Sequence, residues 1–198
     1  PLPPLTTSTL QQSAANKFGY SSKMTMSFAQ KLYEEGYITY HRTDSLNLSE
    51  SSLAGAGEFI TESFGKKYHS ARRFKSGKGA QEAHEAIRPA HVGRNPESLR
   101  GELSGAGLKL YALIWQRFIA SQMAPAIFDS TSIEISANDP ALSAAEGYTF
   151  GVNGQMLKFD GFLKVCPMKF TEADLPALKE KEILELVKIS PNQHFTEP

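Results

Sequence analysis

Tyr40 and Arg42 stand two residues apart at the end of Tyr37-Ile38-Thr39-Tyr40, a run of β-branched and aromatic residues that favours extended backbone. Side chains two apart on an extended chain share a face, so this spacing sets a phenol beside a guanidinium. A free tyrosine titrates at about 10, and a neighbouring cation favours the phenolate and stabilises the charge of a pentacovalent phosphate. The planar fork of Arg42 can hold two phosphoryl oxygens, which a lysine could not reproduce. The pair is therefore a nucleophile beside a phosphate clamp. His41 faces the other way on such a chain and is not assigned as the base. Spacing alone does not establish this chemistry, because a Tyr-X-Arg triplet on a strand occurs by chance in many proteins and usually does no chemistry.

The elements around the pair set its position. Thr6 to Ser8 offer capping hydroxyls ahead of Leu10, Ala14 and Phe18, with Gly19 as a stop, which predicts a helix over 8–18. Ser21 or Ser22 caps a second helix whose Met24, Phe28, Ala29, Leu32 and Tyr33 recur at helical spacing, and Gly36 closes it in a left-handed conformation. A short strand follows over Tyr37 to Tyr40. Ser49 starts a third helix ending at Gly65, Gln81 to Ile87 fits two helical turns before Pro89, and Pro96 to Leu103 reads as a turn. Leu108 to Met123 is the strongest amphipathic pattern, with an inward stripe of Leu108, Tyr111, Ala112, Trp115, Phe118, Ile119 and Gln122.

Beyond Pro125 the period changes to two. Ser130 to Ser136 alternates as a half-buried strand, Tyr148–Val152 and Met156–Phe159 flank Asn153-Gly154 as a hairpin, and Ile183 to Ile189 alternates again. A short strand is expected at Phe162 to Val165. This predicts an α+β chain with a helical domain over 1–125 and a β-rich segment over 126–198.

The formal net charge is zero over 198 residues, but it is unevenly spread: residues 1–127 carry 15 Lys+Arg against 10 Asp+Glu, and residues 128–198 carry 6 against 11. Lys66, Lys67, Arg72, Arg73, Lys75 and Lys78, with Gly77 and Gly79, read as a mobile basic loop able to follow a phosphate backbone. The single Cys166 excludes an internal disulfide and a thiol-based zinc site. No apolar run approaches a membrane span, and Pro1 to Leu5 lacks the plan of a signal peptide, so a cytoplasmic protein without a membrane partner is expected. The absence of an initiator methionine and the polar ending suggest a piece of a longer chain.

The whole run Gly36-Tyr37-Ile38-Thr39-Tyr40-His41-Arg42-Thr43-Asp44-Ser45 closely resembles the active-site signature of type IA DNA topoisomerases, with Tyr40 in the place of the nucleophile. Leu5-Thr6-Thr7-Ser8-Thr9-Leu10-Gln11-Gln12 resembles the start of the helical domain that bears the tyrosine in the bacterial topoisomerase I branch. Gln81-Glu82-Ala83-His84-Glu85-Ala86-Ile87-Arg88-Pro89 resembles the histidine segment of that branch.

The resemblance implies a winged-helix-like helical domain followed by antiparallel strands of an arch domain. It implies catalytic roles for Tyr40 and Arg42, and DNA contacts from Arg42, His84, Thr43, Asp44 and Arg88. Thr43 and Asp44 fit equally well as caps of the turn leaving the strand, and Arg88 as an ion-pair partner of Glu85 or Glu82. The implied activity is ATP-independent relaxation of negatively supercoiled DNA through a transient 5′-phosphotyrosine. Its magnesium ligands would lie in a separate acidic Toprim domain, with no metal held by these residues and no relaxation by them alone. The implied partners are single-stranded or negatively supercoiled DNA and the remaining domains of the same monomeric, nucleoid-associated enzyme. Two other readings stay open: a DNA-binding module without catalysis, in which Tyr40 only stacks, and a piece of a topoisomerase III or reverse gyrase.

Overall fold

The computed structural model describes residues 1–75, 84–137 and 147–195. Its elements are α1 (Thr7–Phe18), α2 (Ser22–Glu34), α3 (Glu50–Phe64), α4 (Gly105–Ser121), β1 (Ile127–Ala137) and β2 (Tyr148–Phe159), with 3₁₀ turns at Lys66–Tyr68, Pro96–Leu99 and Gly161–Lys164. This is an α+β fold. It divides into two compact units, Pro1–Asp129 with Leu157–Thr171, and Ser130–Met156 with Glu172–Pro198.

The helices of the first unit start and stop where local chemistry directs them. Thr6 caps α1 in a reciprocal capping box with Thr9, and Gly19 ends it at φ 70°. Ser21, Ser49 and Ser104 cap α2, α3 and α4 through their side-chain oxygens, each accepting from a backbone N–H of the first turn. After α2, Gly36 takes φ 75°, a conformation that leaves glycine without strain and turns the chain sharply into Tyr37. The second helix thereby aims the following segment.

Helix α4 fills the middle of this unit. Leu110, Tyr111, Leu113, Ile114, Trp115, Phe118 and Ile119 are all buried, and so are Ala120 and Ser121. The expected stripe was too narrow: Leu110, Leu113 and Ile114 lie inside as well, because the helix is packed by α1, α2 and the Pro96–Leu99 turn on several sides. Burying each of these large side chains contributes about 1.5–3 kcal/mol. Arg72 donates to the carbonyls of Ser121 and Met123, satisfying acceptors at the C-terminal end of α4.

That bond removes one side chain from the expected basic loop. Arg72 is committed to α4, Arg73 pairs with Glu50, and Lys67 lies over the rings of Tyr68 and Phe159. Of these side chains Arg72 is bonded into the fold, whereas Lys66, Lys67, Arg73 and Lys75 remain exposed. Lys78, Gly77 and Gly79 lie outside the described residues.

The Gln81–Ile87 helix is not formed where the chain is described. From His84 the backbone runs extended: Ile87 bridges Leu5, and Pro89 bridges Ile38. Backbone N–H groups of Ala86, Ile87 and Ala90 donate to the carbonyls of Asn47, Leu5 and Tyr37 at 2.8–2.9 Å. Partners distant in sequence take up the groups that a helix would have paired internally. Likewise Tyr37–Tyr40 makes only the Ile38–Pro89 bridge and no regular strand.

β1 and β2 pair as a two-stranded antiparallel sheet. The hairpin expected at Asn153-Gly154 is absent, since β2 runs unbroken through both residues. Asn153 accepts a hydrogen bond from Ser132 at 2.8 Å, and a Cβ on Gly154 would meet the Ala173 carbonyl at 2.5 Å and Leu175 at 2.6 Å. Glycine is needed there for a close crossing of chain, not for a turn. In place of the strand expected at Phe162 to Val165 there is the 3₁₀ turn Gly161–Lys164, which Gly161 opens at φ 49°. Ile183 to Ile189 forms no strand among the described residues, and Ile183 and Val187 are 96% and 94% exposed.

Candidate active site

The segment leaving Gly36 is held on both sides. On one side the Thr39 hydroxyl donates to the Ala86 carbonyl at 2.8 Å and accepts from the Arg88 N–H at 3.0 Å, while the Thr39 N–H donates to the Arg88 carbonyl at 2.9 Å. On the other, at the first residue of α1, the Thr7 hydroxyl donates to the His41 carbonyl at 2.8 Å and accepts from the Thr43 N–H at 2.9 Å. The Thr7 N–H donates to the Thr43 carbonyl at 2.8 Å. Tyr40 sits between these two attachments.

Burial alternates along the segment. Tyr40, Arg42 and Asp44 are exposed, whereas His41, Thr43 and Ser45 are buried. The extended reading thus sets Tyr40 and Arg42 on one outward face. Tyr40 is 43% exposed, and its hydroxyl has no hydrogen-bond partner among the described residues. Its ring lies 5.2 Å from Tyr33, 5.3 Å from His41 and 6.3 Å from His84, all edge-on. Such contacts fix the ring while leaving the oxygen in solvent.

The other residues singled out in the sequence divide. His84, half-buried, is brought against Tyr40 from 44 residues away. Asp44 shares the outward face. Thr43 does not: it points inward, and its hydroxyl accepts from the Ser45 N–H at 3.0 Å. Arg88 pairs with Glu85 at 2.6 Å with only 13% of its side chain exposed, the ion-pair alternative raised for it. Burial works against the Glu85 carboxylate, but hydrogen bonds from Ser49 and Arg88 outweigh it and hold the group below the usual glutamate range. This knot ties the start of α3 to the histidine segment. Thr7, Thr39 and Tyr33 as positioning residues went unrecognised. Thr7 and Thr39 lie inside the signature stretches, but only long-range pairing reveals their work.

His41 is the other surprise. It is 3% exposed, and neither ring nitrogen has a hydrogen-bond partner among the described residues. Burial, reinforced by the Arg42 cation and opposed by Glu34, holds its imidazole below the usual histidine value.

An exposed phenol, an arginine on the same face and an imidazole against the ring thus stand together. The chain belongs to the DNA topoisomerase family, whose model matches residues 1–198. Among relatives, it is 47% identical over its whole length to DNA topoisomerase 1 of Pseudomonas aeruginosa, and 45% identical over 98% of its length to DNA topoisomerase 1 of Escherichia coli. It spans 22% of the length of each. The full-length topoisomerase I of Thermotoga maritima superposes with a TM-score of 0.75 at 36% identity, over 90% of this chain and 29% of that one. The type IA kinship read from the signature stretches accords with these relatives.

Proposed function

We propose that Tyr40 cuts one DNA strand by attack on a backbone phosphodiester. The phenolic oxygen forms a bond to phosphorus, the bond from phosphorus to the 3′ oxygen breaks, the phenolic proton is released, and the departing 3′ oxygen takes up a proton. A 5′-phosphotyrosine results. One ester is exchanged for another, so religation needs no nucleotide cofactor, and supercoil tension drives relaxation of negatively supercoiled DNA. Arg42 grips the phosphoryl oxygens, and His84 approaches the same phosphate. Asp44 stands on the same face beside the bound strand, while Thr43 and Arg88 serve it by holding the segment's backbone. The observation that carries this reading is the exposed Tyr40 hydroxyl, unbonded among the described residues, on the face it shares with Arg42.

The magnesium that the family resemblance implies finds no fitting ligands here, since no group of three or more His, Cys, Asp or Glu side chains gathers among the described residues. Its ligands belong to the acidic Toprim domain, with which this chain works as part of a monomeric enzyme in the nucleoid. The 198-residue chain by itself is therefore expected to leave supercoiled plasmid unrelaxed at every magnesium concentration, and relaxation by the pure chain would refute this. Joined to the remaining domains, the protein should capture labelled single-stranded DNA covalently, with peptide mapping locating the label on Tyr40. Tyr40→Phe should abolish capture while leaving strand binding in place. Capture that survives this change would leave the tyrosine as a stacking platform.

A further inference from the structure

The rings of Tyr33, Tyr40 and His41 form a closed triangle, with centroid separations of 5.2, 5.3 and 5.7 Å. Tyr33 comes from the last turn of α2, and the His41 carbonyl is anchored by the Thr7 hydroxyl at the start of α1. Two corners of the triangle are half in water, Tyr33 and Tyr40 at 42% and 43% exposure; the third, His41, is inside. A buried imidazole with both nitrogens unpartnered is a poor choice if the position asks only for bulk, because its N–H loses water and gains nothing. It is tolerable as a neutral ring and far less so as a cation.

We propose that His41 is a positioning residue for Tyr40, holding the nucleophile's ring in place while neutral and releasing it when protonated, so that DNA cleavage shuts off in acid. This rests on the reading of Tyr40 as the nucleophile. The charges around His41 agree with it. From its own segment Arg42 opposes a second cation. From α2, Glu34 is the one carboxylate among the described residues that favours it, and Tyr33 contributes its ring. From the extended stretch after residue 83, His84 reaches Tyr40 on another side and brings no negative charge; α1 contributes the neutral Thr7. Burial and Arg42 prevail over Glu34, which places the release below the ordinary histidine range.

The sign for stability follows. The unfolded chain takes up the proton first as pH falls through the ordinary histidine value, so the contribution of His41 to folding is complete above that value. It declines from there until the lower folded-state value is passed.

The test compares covalent capture of a labelled single strand by the enzyme joined to its remaining domains, from about pH 8 to about pH 5, each variant scaled to its own value at the alkaline end. With His41, capture should fall about tenfold per pH unit below the imidazole titration; with His41→Met, of similar bulk and no charge, the profile should stay flat there. Superimposable profiles would overturn the proposal. A second measurement needs neither cleavage nor the methionine variant: imidazole and tyrosine ring resonances of the 198-residue chain are followed by NMR in a His84→Gln background. The Tyr33 and Tyr40 rings should shift with the His41 titration, and rings that ignore it would also overturn the proposal. Should Tyr40→Phe still capture DNA, the nucleophile assignment falls, while the ring titration still reports separately on His41.

Discussion

Every buried hydrophobic side chain among the described residues belongs to the first unit, from Leu5 through Met123 to Val165, whereas the second unit leaves Ile183, Leu186, Val187 and Ile189 more than half in water. Both units have comparable shares of apolar residues, so composition does not make the difference. Helices bury one another as soon as they fold back, but a two-stranded sheet has two faces and little to cover them. The contrast teaches where rigidity is available: Tyr40, His41, Arg42 and His84 are all held by the unit that has its own core.

The largest test of that contrast is to hollow out the core. Phe118→Ala, at a fully buried position of α4, should cost about 3–5 kcal/mol in urea unfolding. A smaller effect is expected at the Glu85 knot. Glu85→Gln removes a charged partner from a mostly covered arginine and should cost about 1–3 kcal/mol near neutrality. The folded-state carboxyl is depressed, so its contribution is present above the ordinary glutamate value and fades as pH falls through the lower folded value. Unfolding curves of the two proteins should therefore converge in acid. The smallest effect is predicted in the second unit, where Val187→Ser, at 94% exposure, should move the unfolding free energy of the 198-residue chain by no more than about 0.5 kcal/mol. A loss as large as that for Phe118 would erase the distinction between the units.

The same contrast governs what could be read from the sequence. Helix ends were legible because their causes are local: Ser21, Ser49 and Gly65 act within one turn of where they stand. The outward face of Tyr40 and Arg42 was legible from a period of two. The extended course of His84 to Pro89 was not, because its backbone partners are Leu5, Ile38, Thr39 and Asn47, and no local pattern announces them. Asn153-Gly154 misled for a related reason. The pair has the composition of a turn, but Gly154 is required by the passage of Ala173 and Leu175 over β2. The period of two sets His41 inward, but it did not foretell that the imidazole would still touch the rings of Tyr33 and Tyr40.

Leu5 bridges Ile87 on one side of Tyr40, and Thr7, two residues on, grips His41 and Thr43 on the other. Both jaws around the phenol are thus fastened to one short strap. A pull on the chain ahead of Leu5 is delivered to the two jaws together and cannot easily prise them apart. The surroundings of the phenol are thereby tied together through the stretch that opens the chain, not through the helix that carries Tyr33.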